Sequence, residues 1–343
     1  MRGISFWSGD RPEPFANAER AALSASDATP PVSRPNADEP RIVILLGTHQ
    51  GERFLAEQLD SFAAQTHKNW YLRVSDDGST DGTMHILRQY QRAWPNRIEI
   101  AAGPCKGFAR NYLSLLRGAS RAAEFYAFSD QDDIWHADKL ERAVRWLSQQ
   151  PAEVPALYCG RTRLVNEQAQ PIGFSSLFKR SPGFSNALVQ SLGGANTMAF
   201  NAATHKLVCQ VGTDIDVASH DWWLYILVSG VGGHLLHDTQ PAVDYRQHPY
   251  SLVGSNLGWQ ARIKRLYMLN AGYFREWNAR HLKLCSTFES LLTEENKKIM
   301  EYFCQARQAA FPARLWYASR SGIFRQTMIG NIGLLIAVIF NKI

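Results

Sequence analysis

Arg41-Ile-Val-Ile-Leu-Leu-Gly-Thr48 and, further on, Trp70-Tyr-Leu-Arg-Val-Ser-Asp-Asp-Gly-Ser-Thr-Asp-Gly-Thr83 decide the fold of this chain. Ile42 to Leu46 is an unbroken apolar run closed by Gly47, as expected of a strand buried on both faces of a parallel sheet. Between the two stretches Phe54, Leu55, Gln58, Leu59 and Phe62 recur at helical spacing. Trp70 to Ser75 then supplies a second strand that ends in Asp76 and Asp77, completing one strand–helix–strand unit. The pattern continues with a helix over 83–94, a strand over 97–101, a helix over 108–116 and a strand over 125–129. That last strand runs into Asp130-Gln-Asp-Asp133, and a helix over 137–149 follows. Such alternation gives an α/β fold, a mostly parallel sheet with covering helices. Ligands of open sheets collect beyond the carboxyl ends of the strands, and both acidic clusters fall there, so they should share one cleft.

Beyond residue 150 the alternation weakens, and Gly193-Gly-Ala-Asn196, His220-Asp-Trp-Trp223 and Tyr245-Arg-Gln-His248 punctuate what we assign to the acceptor half. From Gly258 onward strand signals vanish, and Ile263, Leu266, Tyr267 and Leu269 begin an amphipathic pattern. The chain therefore divides into a disordered Pro/Ser/Ala-rich leader at 1–39, a catalytic domain at 40–256 and a C-terminal α-helical appendage at 257–343. The stretch Gln326 to Asn341 is uncharged and apolar but short of the roughly 20 residues that cross a bilayer. It reads as a helix docked on the domain or lying in a membrane interface.

Net charge is +6, and residues 241–343 carry 14 Lys and Arg against 6 Asp and Glu. Anionic membranes and donor phosphates suit this basicity; with no zinc-finger spacing and no run of basic residues, nucleic acid is not an expected partner. The five scattered cysteines form no CxxC pair, so neither a disulfide framework nor a zinc site is indicated, and a reducing cytoplasm is the expected compartment.

The chemistry lies in the carboxylates. Asp130 and Asp132 have the D-x-D spacing that lets two carboxylates flank one hard divalent ion where the chain turns after a strand. Asp133 adds charge that would be self-repelling without a cation. Standing alone, such acids equally mark a solvated turn or a helix cap, and Ser79 or Asp81 is expected to cap the helix at Thr83. Asp221, read alone, is a helix N-cap followed by two core tryptophans.

Thr48-His49-Gln50, Gln65-Thr66, Ser75 to Thr83 and Ser129 to Trp135, in this order and spacing, resemble glycosyltransferase family 2 over roughly residues 41–250. His220 to Trp223 and Tyr245 to His248 are similar to its bacterial rhamnosyltransferase-like branch. The resemblance implies the GT-A (Rossmann-like nucleotide-diphospho-sugar transferase) fold and an inverting, metal-dependent transfer from a nucleotide-diphosphate sugar. On the donor side it implies Asp77 at the nucleobase with Asp76 nearby, Asp130 near the ribose, and Thr48, His49, Gly107 and Asn111 in the donor loops. It places Mg²⁺ or Mn²⁺ on Asp132 and makes Asp221 the general base, with one of Trp222 and Trp223 walling the sugar. Arg246 and His248 either meet the diphosphate and complete the metal site or are an ordinary strand-edge arginine and a solvated histidine. The family usually carries an aromatic and then Asn where this chain has His49 and Gln50. L-Rhamnose from dTDP-rhamnose is the expected donor and a cell-surface glycan or lipid-linked molecule the expected acceptor, with the protein itself in the cytoplasm or peripheral on the cytoplasmic face of the inner membrane.

Other classes lack their residues. No G-x-G-x-x-G follows the first strand and no Gly-Lys-Ser/Thr is present, which excludes dinucleotide-binding dehydrogenases and P-loop enzymes; Ser75 stands where an aspartyl phosphatase needs its nucleophile. The competing reading is a non-catalytic scaffold of the same shape in a membrane polysaccharide-assembly complex.

Overall fold

The computed structural model describes residues 29–119, 122–213, 215–248 and 273–343. Its centre is β1 (Ile42–Thr48), paired in parallel with β2 (Trp70–Asp76) on one side and β4 (Phe125–Ser129) on the other. β3 (Ile98–Ala102) extends the parallel half. The other half is mixed: β8 (Ala199–Asn201) is antiparallel to β4 and to β6 (Ala156–Val165), and β6 runs parallel to the long β9 (His234–Arg246). The two-residue β5 (Ile134–Trp135) pairs antiparallel with β9, and β7 (Pro171–Phe174) pairs with β6. The order is β3-β2-β1-β4-β8-β6-β9-β5.

The unbroken apolar run of β1 is explained by packing on both faces. Ile42, Ile44 and Leu46 point to one side, against α1 (Leu55–Ala63), α2 (Thr83–Ala93) and α4 (Lys139–Leu147). Val43 and Leu45 point to the other, against α3 (Phe108–Gly118), α5 (Phe184–Ala187), α6 (Ala202–Val211) and α7 (His220–Gly230). This is the period-2 alternation of a strand with two covered faces. Helix α4 starts two residues later than expected. The Ala137 carbonyl accepts the Thr66 N–H at 2.8 Å and the His136 N–H donates to Ala242 O at 3.0 Å, so those peptides are spent on the sheet side.

One expectation about the ends of the chain is revised. Residues 29–39, assigned to a disordered leader, lie against the domain: Trp94 Nε1 donates to Pro30 O at 2.8 Å, and Glu39 accepts the Lys68 N–H at 2.8 Å. The leader up to residue 28, the boundary at 256/257 and the pattern around Ile263 lie outside the described residues. The C-terminal helices α8 (Tyr273–Thr287), α9 (Glu294–Gln308), α10 (Ala313–Arg320) and α11 (Met328–Ile339) are docked on the half of the fold that carries α7. Leu284, Phe303, Ala318 and Val338 join the core around α7, and Asn296 Nδ2 donates to the Ser229 and Gly230 carbonyls at 2.9 Å.

Candidate active site

The first acidic turn is built before any ligand arrives. Asp76 is buried and its carboxylate accepts from Thr48 Oγ1 at 2.9 Å, Ser79 Oγ at 2.6 Å and Ser79 N at 2.9 Å. Asn111 is buried too, with Nδ2 on Ser75 O at 2.9 Å and Oδ1 accepting from Ser75 Oγ at 2.5 Å. The side chains of Thr48, Asp76 and Asn111, expected in the donor loops, thus also shape the ends of those loops. A buried polar group must find a partner, and here the nearest ones are in the turn itself. Asp81 accepts from Thr83 N at 3.1 Å and so meets the first turn of α2 as expected.

Asp77 remains half-buried at the edge of the cleft. Its carboxylate accepts the N–H groups of Cys105 at 2.6 Å and Gly107 at 3.0 Å, fixing the loop between β3 and α3. Gly107 has φ 85°, a left-handed conformation that glycine adopts without a Cβ penalty. A carboxylate offers about four acceptor sites, so Asp77 retains capacity for a base N–H. His49, also half-buried, places Nδ1 3.0 Å from Asp77 O, and its backbone exchanges two 2.8 Å bonds with the Gln131 amide. A Cβ on Gly51 would collide with that amide. Gln131 thus ties the two acidic turns together.

The second turn owes its position to β5. Pairing Ile134 with Asp244 and Trp135 with Val243 lays the end of β9 along the turn. His248 Nε2 comes to 2.8 Å from Asp132 Oδ2, and the Asp132 side chain is 22% exposed. Arg246 corrects the expectation of a phosphate contact, because it lies behind the turn at 1% exposure. Its guanidinium donates to Asp132 O at 3.0 Å, Glu167 O at 2.5 Å and Glu57 Oε2 at 2.5 Å, and lies over the Phe54 ring at 4.4 Å. Every edge is engaged, so Arg246 holds the turn from beneath.

Asp133 is fully buried; it accepts from Asn196 Nδ2 at 2.5 Å and from Arg246 N at 3.2 Å. Burial, then the charges of Asp132 and Asp130, hold its pKa well above the carboxylate range. Asn196 lies in the short 3-10 helix Ala195–Thr197, so the Gly193-Gly-Ala-Asn196 loop serves the acidic turn as a support. Asn196→Ala would leave a buried oxygen without its donor; urea unfolding should show a loss of about 1–3 kcal/mol.

Asp130 accepts from the Tyr112 hydroxyl at 2.8 Å; burial, and next the Asp132 charge, push its pKa up to about 7. Lys139, buried with its Nζ 3.3 Å from the Trp135 ring centroid, is pushed down to about 7 by burial, against the pull of Asp133. Three carboxylates and a desolvated lysine are thus gathered at one turn.

Asp221 arrives on the first turn of α7. His220, the residue before it, stacks on Tyr112 at 4.0 Å and 11°, and Tyr112 in turn bonds Asp130, so this ladder brings the start of α7 to the second acidic turn. Burial pushes His220 down to about 3, and among the described residues neither ring nitrogen has a hydrogen-bond partner; it is a neutral spacer. Asp221 is only partly covered, accepts from Trp222 N at 2.7 Å and from the Ser219 hydroxyl, and is pushed up to about 6 by desolvation. Trp222 and Trp223 are both buried, with Trp222 Nε1 on Ala187 O at 2.7 Å, so neither is the sugar-facing wall one of them was expected to be. Sequence reasoning missed Tyr112 and Gln131. The only signal for Tyr112 is its hydroxyl on an otherwise apolar helix stripe, where burial demands a partner.

Among the described residues no three His, Cys, Asp or Glu side chains converge as metal ligands. The Asp132 carboxylate, with His248 Nε2 2.8 Å from it, could give one oxygen to a hard divalent ion whose shell phosphate oxygens and water complete.

Residues 43–183 match the family described as Glycosyl transferase family 2. RfbG of Shigella flexneri, named as a dTDP-rhamnosyl transferase, is 30% identical over 242 residues, covering 67% of this chain and 81% of that protein. EpsE of Bacillus subtilis, named as a putative glycosyltransferase, is 36% identical over 109 residues, 32% of this chain and 38% of that protein. In fold, S. aureus TarS 1–349, solved in complex with UDP, aligns at TM-score 0.52 and 15% identity over 80% of this chain and 78% of that chain.

The mixed sheet with both acidic turns at its carboxyl edge, together with these relatives, defines a glycosyltransferase that uses a nucleotide-sugar donor. The chain belongs to glycosyl transferase family 2.

Proposed function

We propose that this enzyme transfers L-rhamnose from dTDP-rhamnose to a hydroxyl of a cell-surface glycan or lipid-linked acceptor, with inversion and with Asp221 as the general base. The observation that carries the reading is the Tyr112–His220 ladder, which brings the partly covered Asp221 to the turn that bears Asp130 and Asp132. The donor assignment rests on the similarity to RfbG.

Asp77 and His49 flank the nucleoside end of the cleft, and the second acidic turn takes the diphosphate end. A divalent ion held by Asp132 and His248 would supply charge neutralisation to the leaving diphosphate. Ionised Asp221 takes the proton of the acceptor hydroxyl as its oxygen bonds to the anomeric carbon. The carbon–oxygen bond to the diphosphate breaks on the opposite face, and the nucleoside diphosphate leaves with the electron pair. A single displacement needs one carboxylate base and inverts the centre. Arg246, Asn196, Gln131 and Lys139 hold the turn in place.

A panel of nucleotide sugars, each with and without Mg²⁺ or Mn²⁺, tests this. dTDP-rhamnose should be consumed with metal at least about tenfold faster than uridine-diphosphate hexoses, a margin that a few specific hydroxyl and methyl contacts supply. A faster uridine-diphosphate hexose would replace the donor, and turnover unchanged by chelator would remove the ion. Titration calorimetry with no nucleoside-diphosphate binding would return the chain to the scaffold class.

A further inference from the structure

The last helix presents its apolar face outward. Helix α11 is fixed on one side: Ala337 and Val338 are buried in the core, and the Arg314 guanidinium donates to the Ile339 carbonyl at 3.1 Å. Thr327 caps its start through Gly330 N at 3.0 Å. On the opposite side Met328, Ile329, Ile332, Leu335, Ile336 and Phe340 are exposed, from 78% at Met328 to 40% at Ile336. Their spacing of three, four and seven is that of one helical stripe. An apolar stripe kept in water on a helix already anchored by its other face marks an interaction surface.

The surroundings specify the partner. Exposed Phe311 and Trp316 lie on and just before α10, and Arg320 lies over the Trp316 ring at 5.6 Å. Residues 309–343 hold no acidic residue, and of their basic residues Arg320, Arg325 and Lys342 are not buried, while Arg314 is turned inward onto backbone carbonyls. A second copy docked on this stripe would bring two such basic segments together, whereas an anionic bilayer complements them. Twelve residues rise about 18 Å, too little for the roughly 30 Å hydrocarbon core, and among the described residues no helix is long and apolar enough to cross a membrane. Apolar insertion combined with basic residues and interfacial aromatics is the two-signal arrangement that gives peripheral binding in the plane of the interface.

We propose that the α10–α11 edge, through the outward stripe of α11 with Trp316 and Arg320 beside it, is a docking surface for an anionic lipid bilayer. The binding is independent of the sugar-transfer reaction and is read without any nucleotide sugar. In flotation with the full chain, vesicles of phosphatidylglycerol and phosphatidylethanolamine should carry the protein, and neutral phosphatidylcholine vesicles should carry about tenfold less. Ile332→Glu with Ile336→Glu should lower flotation by about tenfold or more. Arg320→Glu, a surface charge change that does not depend on the double variant folding, should lower it several-fold at low salt. Wild-type protein that stays unbound, equal flotation on both vesicle types, or variants that float like wild type would overturn the proposal. A dimer in light scattering that the double variant dissolves would assign the stripe to a second copy instead.

Discussion

Asp221→Asn is expected to lower sugar transfer by about 10²- to 10⁴-fold, the contribution a positioned general base makes. The substitution is conservative toward the fold, because the amide oxygen can still accept from Trp222 N and the Ser219 hydroxyl where the carboxylate does now. Thermal melts should therefore coincide with wild type while the rate collapses. The pH profile separates a base from a mere helix cap. Burial pushes the Asp221 carboxyl up to about 6, and the base works only when ionised. Wild-type kcat/KM should then be flat above that value and fall about tenfold per pH unit below it. The residual rate of Asp221→Asn should lack this acid limb. Release of nucleoside diphosphate measured from pH 5 to 8 checks both points, and a variant that keeps the wild-type rate would exclude Asp221 from proton transfer.

The parallel half of the fold was legible because its signals are local. Ile42–Leu46 must be apolar throughout when helices cover both faces, and Asp76, Asp77 and Asp130 stand out as charges at the ends of such runs. What the sequence concealed depends on pairings across long separations. Arg246 reads as a strand-end cation, and only the pairing of β5 with β9 turns it beneath the acidic loop, 114 positions from Asp132. Thr48, Asp76 and Asn111 read as polar residues of ligand loops, and the sequence did not show that their side chains also bond buried neighbours at the loop ends. Asn196 reads as part of a glycine-rich loop until the buried carboxylate it serves, 63 positions earlier, is placed beside it. The outward face of α11 was likewise undetermined, since a helix apolar on nearly all sides does not reveal from sequence which side the domain takes.

Asp132→Asn should separate function from stability in the opposite sense to a core mutation. The Asp132 charge helps to raise the pKa of both Asp130 and Asp133, so three neighbouring carboxylates oppose one another in the folded chain. Removing one charge relieves that opposition, and Asn can still accept from His248 Nε2 at the position where the carboxylate is 2.8 Å away. The melting temperature should stay level or rise, as it does when active-site strain is relieved at the expense of activity. Transfer should fall by about 10³-fold, equivalent to the several kcal/mol of leaving-group stabilisation that a bound divalent ion contributes. The residual rate should no longer saturate with Mg²⁺ or Mn²⁺, and calorimetry should show nucleoside-diphosphate binding that has become insensitive to metal. Wild-type turnover with an unchanged metal titration would remove the ion from Asp132, and the second acidic turn would then be a structural brace for β5 and β9 with no part in holding the diphosphate.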